Sequence, residues 1–95
     1  MTDTDKIFMM ELKNEFMESV TVNLKQMSQL FEEDKFDEIA KIAHDIKGTS
    51  GIFGLDEGTE IAKELQAAAQ SKDVEKVKKL IDDLVTYMKA NDIIK

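Results

Sequence analysis

The sequence predicts an all-α protein that folds as an antiparallel up-down-up-down four-helix bundle, with residues 1–95 forming a single domain. Three observations favour this class. Good helix formers carry apolar residues at spacings of three and four, the alternation typical of a β-strand occurs nowhere, and all four glycines fall within residues 48–58 of a chain without proline. A chain of 95 residues with 42% hydrophobic content is large enough for one modest core.

The first helix is predicted to run from about Asp5 to Glu33. Residues 7–10 are apolar on every side of this helix, so a short separate N-terminal helix is an alternative there. The rest of the segment carries one long amphipathic stripe. Its members are Met9, Leu12, Phe16, Val20, Leu24, Met27 and Phe31.

The second helix is predicted to begin near Lys35, with Asp34 as its N-cap and Gly54 as its stop. Asp56 and Asp73 are the predicted caps of the third and fourth helices. Loops of two to four residues join the helices, and such short connections make sequential helices antiparallel. The predicted inward residues of the second helix are Phe36, Ile39, Ala40, Ala43 and Ile46, and those of the third are Ile61, Ala62, Leu65, Ala68 and Ala69. The stripe of the fourth helix is Val74, Val77, Ile81, Leu84 and Met88, with Leu80 and Tyr87 alongside it.

The composition excludes several classes of function. The net charge is −7 and every basic residue is a lysine, whereas nucleic-acid binding needs concentrated positive charge and base readout depends on arginine. The absence of cysteine excludes disulfides and thiolate metal ligands. No apolar run approaches the ~20 residues of a membrane span, and the N-terminus lacks the pattern of a signal peptide. We therefore expect a cytoplasmic protein that binds neither nucleic acid nor membrane.

Two further expectations concern assembly and completeness. The four apolar stripes can satisfy one another, which predicts a monomer, although an exposed apolar cluster around residues 8–10 would weaken that expectation. The start at Met1 favours a free-standing protein over a domain cut from a larger one. Nothing in the sequence identifies a cognate partner or a pathway.

His44 is the only histidine, and it is predicted to point away from the core. At 100° per residue, its side chain lies roughly 130° from the centre of the inward stripe of the second helix. Its surface neighbours are three, four and seven positions away along the chain. They are Ala40, Lys41, Lys47, Gly48 and Gly51.

The glycines beside His44 have two explanations. A glycine inside a helix costs about 1 kcal/mol relative to alanine, so Gly48 and Gly51 need a compensating reason, and close access of another protein to the histidine would supply one. Alternatively, Lys47-Gly48 is a helix end, with glycine in the left-handed cap and His44 in the last turn. Spacing alone does not separate these two interpretations.

A lone exposed histidine limits the chemistry that is available. A metal site needs three or four ligands, and a nucleophile–base relay needs a hydroxyl or thiol partner; neither is visible. Neutral imidazole is itself a nucleophile, and the adjacent ammonium of Lys47 would stabilise a phosphoryl group attached to it. Thr49 and Ser50 are the rival phosphate acceptors, but Thr49 points away from His44 and Ser50 points toward the core.

The run His44-Asp45-Ile46-Lys47-Gly48-Thr49-Ser50-Gly51-Ile52-Phe53-Gly54 resembles the signature of histidine-containing phosphotransfer (HPt) domains of bacterial two-component phosphorelays. The resemblance continues through residues 61–69 and the capped fourth helix. It implies a phosphoryl carrier, not an enzyme, in which His44 accepts the group on Nε2 from the phospho-aspartate of one receiver domain and passes it to another. It also implies that magnesium belongs to the receiver and that this chain needs no cofactor.

The resemblance assigns a further residue, since family members commonly place a glutamine on the next helix to hold the other imidazole nitrogen. Gln66 matches this position. Folding the third helix back antiparallel independently brings residues near 64 level with His44, and Gln66 lies at the margin of the apolar stripe of that helix. Lys63, with Lys41 and Lys47, would form a local basic patch for docking a receiver, where Gly48 and Gly51 leave room. The alternatives are a non-catalytic adaptor bundle and the phosphoacceptor domain of a chemotaxis-type histidine kinase. Relatives of that last kind tend to have glutamate in place of Gln66.

Overall fold

The computed structural model describes residues 3–95 and contains four helices joined by short turns. They are α1 (Asp3–Glu32), α2 (Phe36–Ile52), α3 (Asp56–Gln70) and α4 (Val74–Ala90). Helix α1 packs against α2 and α4, and α3 packs against the same two helices from the other side. No strand occurs in the described residues. The predicted four-helix bundle is confirmed, while Met1 and Thr2 of the predicted single domain lie outside the described residues.

The core follows most of the predicted stripes, but several predicted members are not fully buried. Ile61 and Tyr87 are half-buried, and Met9 is 40% exposed. Leu30 is buried while Phe31 and Leu12 are only half-buried, and Val74 at the start of α4 is 48% exposed. The first helix thus turns a slightly different face to the bundle near its C-terminus than the spacing predicted. The largest fully buried side chains come from all four helices and include Met27, Ile39, Ile46, Leu65, Leu84 and Met88.

All four helices end in the same way, with a residue in the left-handed region followed by a hydrogen bond that closes the last turn. At the end of α2, Gly54 has φ +70°, and the Leu55 amide donates to the Ser50 carbonyl at 2.9 Å. Asp34, Lys72 and Asp92 hold the corresponding positions at φ +58°. The prediction that Gly54 stops α2 is therefore confirmed. Asp34 as an N-cap is wrong, because this residue closes α1 instead of opening α2.

Of the two remaining cap predictions, one is confirmed and one is wrong. Asp73 caps α4 as predicted, since its carboxylate accepts a hydrogen bond from the Lys76 amide at 3.3 Å. Asp56 is not a cap, because Leu55 holds the N-cap position of α3 and makes no side-chain cap hydrogen bond. As the first helical residue, Asp56 still places its carboxylate at the positive end of the helix dipole.

Helix α1 is one continuous helix of 30 residues, so the alternative of a separate N-terminal helix is wrong. At 1.5 Å per residue it is about 45 Å long, nearly twice the length of the others, and it accounts for the longest dimension of the molecule, 46 Å. Phe16 stacks on Phe53 with ring centroids 4.9 Å apart, beside the end of α2. The turns of α1 before Leu12 therefore project beyond the bundle. No described helix is both long enough and apolar enough to cross a membrane.

Candidate functional site

His44 lies in the middle of α2 on its exposed side. The opposite side of the helix carries Ile39, Ala43 and Ile46, which are all fully buried against the other helices. Burial of this stripe fixes the rotation of α2 about its axis, and that rotation turns the imidazole outward. The predicted exposure of the histidine is confirmed.

The imidazole opens into a surface groove of about 620 Å³ between α2 and α3. Ala40, almost fully buried, is the apolar residue of the lining, and polar side chains provide the rest. The lining residues are Asp37, Ala40, Lys41, His44 and Asp45 from α2, with Gln66 and Gln70 from α3.

Gln66 is half-buried and lines the same groove as His44. An amide oxygen accepts a hydrogen bond from an imidazole N–H, which would fix the tautomer that leaves the other ring nitrogen with a free lone pair. Among residues 3–95, no side chain is hydrogen-bonded to the His44 ring. Both ring nitrogens are therefore available to a partner, and Gln66 and Gln70 are the two amides that share the groove with them.

The three lysines of the predicted basic patch are not equally placed. Lys41 lines the groove with His44, whereas Lys47 is half-buried and Lys63 exposed, and both lie outside the lining. The sequence reasoning missed Asp37 and Asp45, which put carboxylates in the same lining. The groove therefore carries charges of both signs.

Two of the missed lining residues had a signal in the sequence. Asp37 lies seven positions before His44, the spacing that returns to the same side of a helix after two turns. Gln70 lies four positions after Gln66, one turn further along α3. Spacing within a helix therefore marked them as candidates, but the register between α2 and α3 decides whether they reach the groove.

Helix α2 continues past Gly48 to Ile52, so the alternative in which Lys47-Gly48 ends the helix is wrong. A Cβ built at Gly48 would meet nothing within 4 Å, and one at Gly51 would only touch Thr59 Oγ1 at 4.0 Å. Neither glycine is therefore required by packing inside the molecule. The helix loses stability at both positions and gains a bare surface beside His44.

The two hydroxyl residues that follow Gly48 are oriented as the periodicity predicts. Thr49 Oγ1 donates back to the Asp45 carbonyl at 3.0 Å and to the Ile46 carbonyl at 3.3 Å, within its own helix. Ser50 is fully buried, and its Oγ has no hydrogen-bond partner. Neither Thr49 nor Ser50 lines the histidine groove.

The described chain contains no group of three or more histidine, aspartate or glutamate side chains that could hold a metal ion. The groove itself holds His44 together with polar and charged side chains. Those side chains can orient the imidazole and interact with a charged group attached to it.

Fold and site together define a helical bundle that presents one exposed histidine on a bare helix surface. The family model described as Hpt domain matches residues 11–91, and the chain belongs to this family. Hpt domains are histidine phosphotransfer modules of phosphorelays, where they carry phosphoryl groups and act with receiver domains. The comparisons with curated proteins and with solved structures returned no match.

Proposed function

We propose that this protein accepts a phosphoryl group on Nε2 of His44 from the phospho-aspartate of one receiver domain and delivers it to a second receiver. The observation that carries the proposal is the outward position of His44 beside Gly48. A Cβ added at Gly48 would contact nothing else in the molecule. A glycine that weakens a helix without serving its packing is explained by an approaching partner.

The transfer follows from the chemistry of neutral imidazole. The Nε2 lone pair attacks phosphorus, the N–P bond forms, and the P–O bond to the receiver aspartate breaks as the carboxylate leaves. The proton on Nδ1 stays in place. The described structure shows no hydrogen bond to the ring, so we propose that the Gln66 amide oxygen accepts one from Nδ1 when the receiver docks. In the second transfer a receiver carboxylate attacks phosphorus, the N–P bond breaks, and neutral His44 is restored.

Lysine side chains on and beside the groove provide the electrostatic part of this function. Lys41 lines the groove, and Lys47, one turn after His44, is the ammonium proposed to stabilise the transferring group. Lys63 extends positive charge onto α3, where it would meet the acidic pocket of a receiver. Each lysine acts locally, since the whole chain carries a net charge of −7.

The bare surface at Gly48 and Gly51 is the proposed point of closest approach. Transfer requires the receiver aspartate and His44 Nε2 to face each other across one phosphoryl group, so a bulky side chain beside the imidazole would hinder the approach. Gln66 in place of glutamate favours the phosphorelay carrier over the chemotaxis-kinase form of the domain.

The test is incubation of the full chain with a radiolabelled phosphorylated receiver. The expected product is an acid-labile, base-stable phosphate on this protein that is absent from the His44→Gln variant, with the fold of the variant checked by circular dichroism. Label that persists in His44→Gln would overturn the assignment. Receiver binding without any label would instead establish a non-catalytic adaptor.

The role of Lys47 is measured in the same assay. Lys47→Ala is expected to slow the appearance of label, because a positive charge near the transferring group is removed. The helix content of the variant should stay the same. Lys76→Ala on α4 is the matched control, and an equal rate for wild type and Lys47→Ala would remove the electrostatic role.

A further inference from the structure

The projecting N-terminal segment of α1 is an apolar surface without a partner in the bundle. Ile7, Phe8, Met9 and Met10 are 57%, 58%, 40% and 65% exposed. A helical segment that is apolar on all sides is normally covered. The expectation of a monomer depended on this cluster being covered, and the described chain leaves it open.

One side of this segment has the spacing of a helix–helix seam. Ile7, Met10, Asn14 and Met17 follow one another at intervals of three, four and three, and at 100° per residue they lie within about 80° of arc. The centre of this seam is roughly 120° from the stripe that packs into the bundle. Met17, where the seam reaches the bundle, is half-buried, and the other three seam residues, Ile7, Met10 and Asn14, are exposed.

Charged residues of opposite sign flank the seam on its two sides. Lys6 and Lys13 lie along one side, and Glu11 and Glu18 lie along the other, each glutamate five positions after a lysine. All four are exposed, and none forms an ion pair in the described structure, whose ion pairs are Glu33–Lys35 and Lys79–Asp83. The order of these charges makes the seam selective for the direction of a partner helix.

We propose that the partner is a second copy of this chain, bound through the seam with the two α1 helices parallel and in register. In that arrangement each lysine faces the glutamate five positions later on the other copy, so that Lys6 meets Glu11 and Lys13 meets Glu18, twice over by symmetry. An antiparallel pairing would instead place lysines against lysines and glutamates against glutamates. The charge pattern therefore selects the parallel dimer.

Asn14, in the middle of the seam, also favours a parallel, in-register dimer. In a parallel pair it faces Asn14 of the second copy, where the two amides can hydrogen-bond, and a single polar residue at such a position specifies register and two strands. A shifted register would set the amide against Ile7 or Met10 and bury it without a partner.

The dimer would leave the histidine groove open, because that groove is formed by α2 and α3 alone. The proposal is independent of phosphotransfer, and the His44→Gln variant is expected to associate like the wild type. The seam spans only two heptads, so the association is weak and depends on protein concentration.

The first test is sedimentation of the full chain over about 10 µM to 1 mM, the range expected for a small interface. Wild type is expected to shift from monomer toward dimer as its concentration rises. Lys6→Glu/Lys13→Glu and Glu11→Lys/Glu18→Lys should each remain monomeric, because each places like charges across the seam. An equimolar mixture of these two variants should dimerise again, since it restores every opposite-charge pair.

The second test is the direction of the pairing. The chain has no cysteine, so single Asn14→Cys and Ile7→Cys variants report cross-linking without background. A parallel in-register dimer joins each cysteine to its own equivalent under mild oxidation, and Val22→Cys, on another exposed side of α1, is the matched control that should not cross-link. Wild type that stays monomeric at every concentration would overturn the proposal. The proposal would also be overturned if Ile7→Cys formed a disulfide only with Asn14→Cys in a mixture of the two variants. Failure of the mixed charge variants to dimerise would overturn it as well.

Discussion

Single residues around His44 set the charge that a phosphorylated histidine would experience. A phosphoryl group adds between one and two negative charges, and the groove already contains Asp37 and Asp45 as well as Lys41. Lysine charge favours the phosphorylated form, and the two carboxylates oppose it. A carrier must release the group that it accepts, and a groove of mixed charge suits a phosphohistidine that is not held too strongly.

Gln66→Ala is expected to slow phosphotransfer several-fold, because it removes the proposed acceptor for the Nδ1 proton during transfer. Gln70→Ala is the matched control, since it removes the same amide from the same groove one turn away and should leave the rate nearly unchanged. Transfer rates from a phosphorylated receiver measure both. Equal slowing by the two variants would show that the groove acts through its general polarity and not through one hydrogen bond.

Ser50→Ala is expected to stabilise the protein by about 1 kcal/mol, because it removes a buried hydroxyl that has no hydrogen-bond partner. Urea unfolding followed by circular dichroism gives the change in the free energy of unfolding. Transfer activity should be retained, as Ser50 does not line the groove. A loss of stability in the alanine variant would mean that the hydroxyl is hydrogen-bonded in solution.

The direction of each side chain in the site was predictable, but contacts across helices were less so. The helical period alone turns His44 outward and Ser50 inward, because both lie on a helix whose apolar stripe is unmistakable. The antiparallel turn placed Gln66 near the histidine to within about one helical turn. Asp37 and Gln70 share the groove through the register of α2 against α3, and the sequence carries no direct measure of that register.

At the scale of whole helices, glycine has opposite consequences in α2 and α3. Gly58 is buried against α4, and a Cβ there would lie 2.8 Å from Tyr87 Cε2, so this glycine permits close helix packing. Gly48 faces open space. The same residue type therefore serves the fold in one helix and surface access in the other.

Gly48→Ala is expected to stabilise the protein by about 1 kcal/mol, from the higher helix propensity of alanine, and to slow phosphotransfer by adding a methyl group beside His44. Gly58→Ala should not show this gain in stability, because the added methyl group overlaps the Tyr87 ring and offsets the helix propensity of alanine. Urea unfolding and the transfer assay measure the two effects separately. Gly48→Ala that transfers at the wild-type rate would show that receivers do not approach this surface closely.

Lys72→Gly is expected to stabilise the protein by about 0.5–1 kcal/mol, because Lys72 closes α3 at φ +58°, where a side chain is unfavourable and glycine is not. Lys72→Ala keeps the Cβ and is the control that should bring no such gain. The midpoint of urea unfolding compares them. Phosphotransfer should be unaffected by Lys72→Gly. Because this variant adds stability without adding a side chain near His44, it shows whether slower transfer in Gly48→Ala comes from the added methyl group and not from the added stability.

Helix boundaries were predictable where a side chain has a distinct role at the end of a helix. Asp73 caps α4 because its carboxylate reaches the Lys76 amide, and Gly54 closes α2 because glycine adopts positive φ freely. Asp34 closes α1 in the same left-handed conformation, which the sequence does not mark because aspartate is also a common N-cap. The end of α2 was ambiguous for a related reason, since Gly48 gives the same signal as Gly54.

For the whole molecule, the fold class was fully predictable because composition, periodicity and short loops all indicated the same bundle. The exposure of the projecting part of α1 was less predictable. Residues 7–10 are apolar on all sides, and their spacing does not indicate whether other helices pack against them. Their exposure places a candidate association surface on α1, away from the α2–α3 groove. A dimer of the proposed kind would present two His44 grooves to receivers at once.

The position of the phosphoryl group tests the proposed function most directly. After incubation of the full chain, labelled with ¹⁵N in histidine, with a phosphorylated receiver, nitrogen–phosphorus coupling in the NMR spectrum identifies the modified atom. We expect a single phosphoryl group bonded to Nε2 of His44, with Nδ1 still protonated. A phosphate on Thr49, on a carboxylate or on Nδ1, with Nε2 of His44 unmodified, would contradict the proposed carrier chemistry.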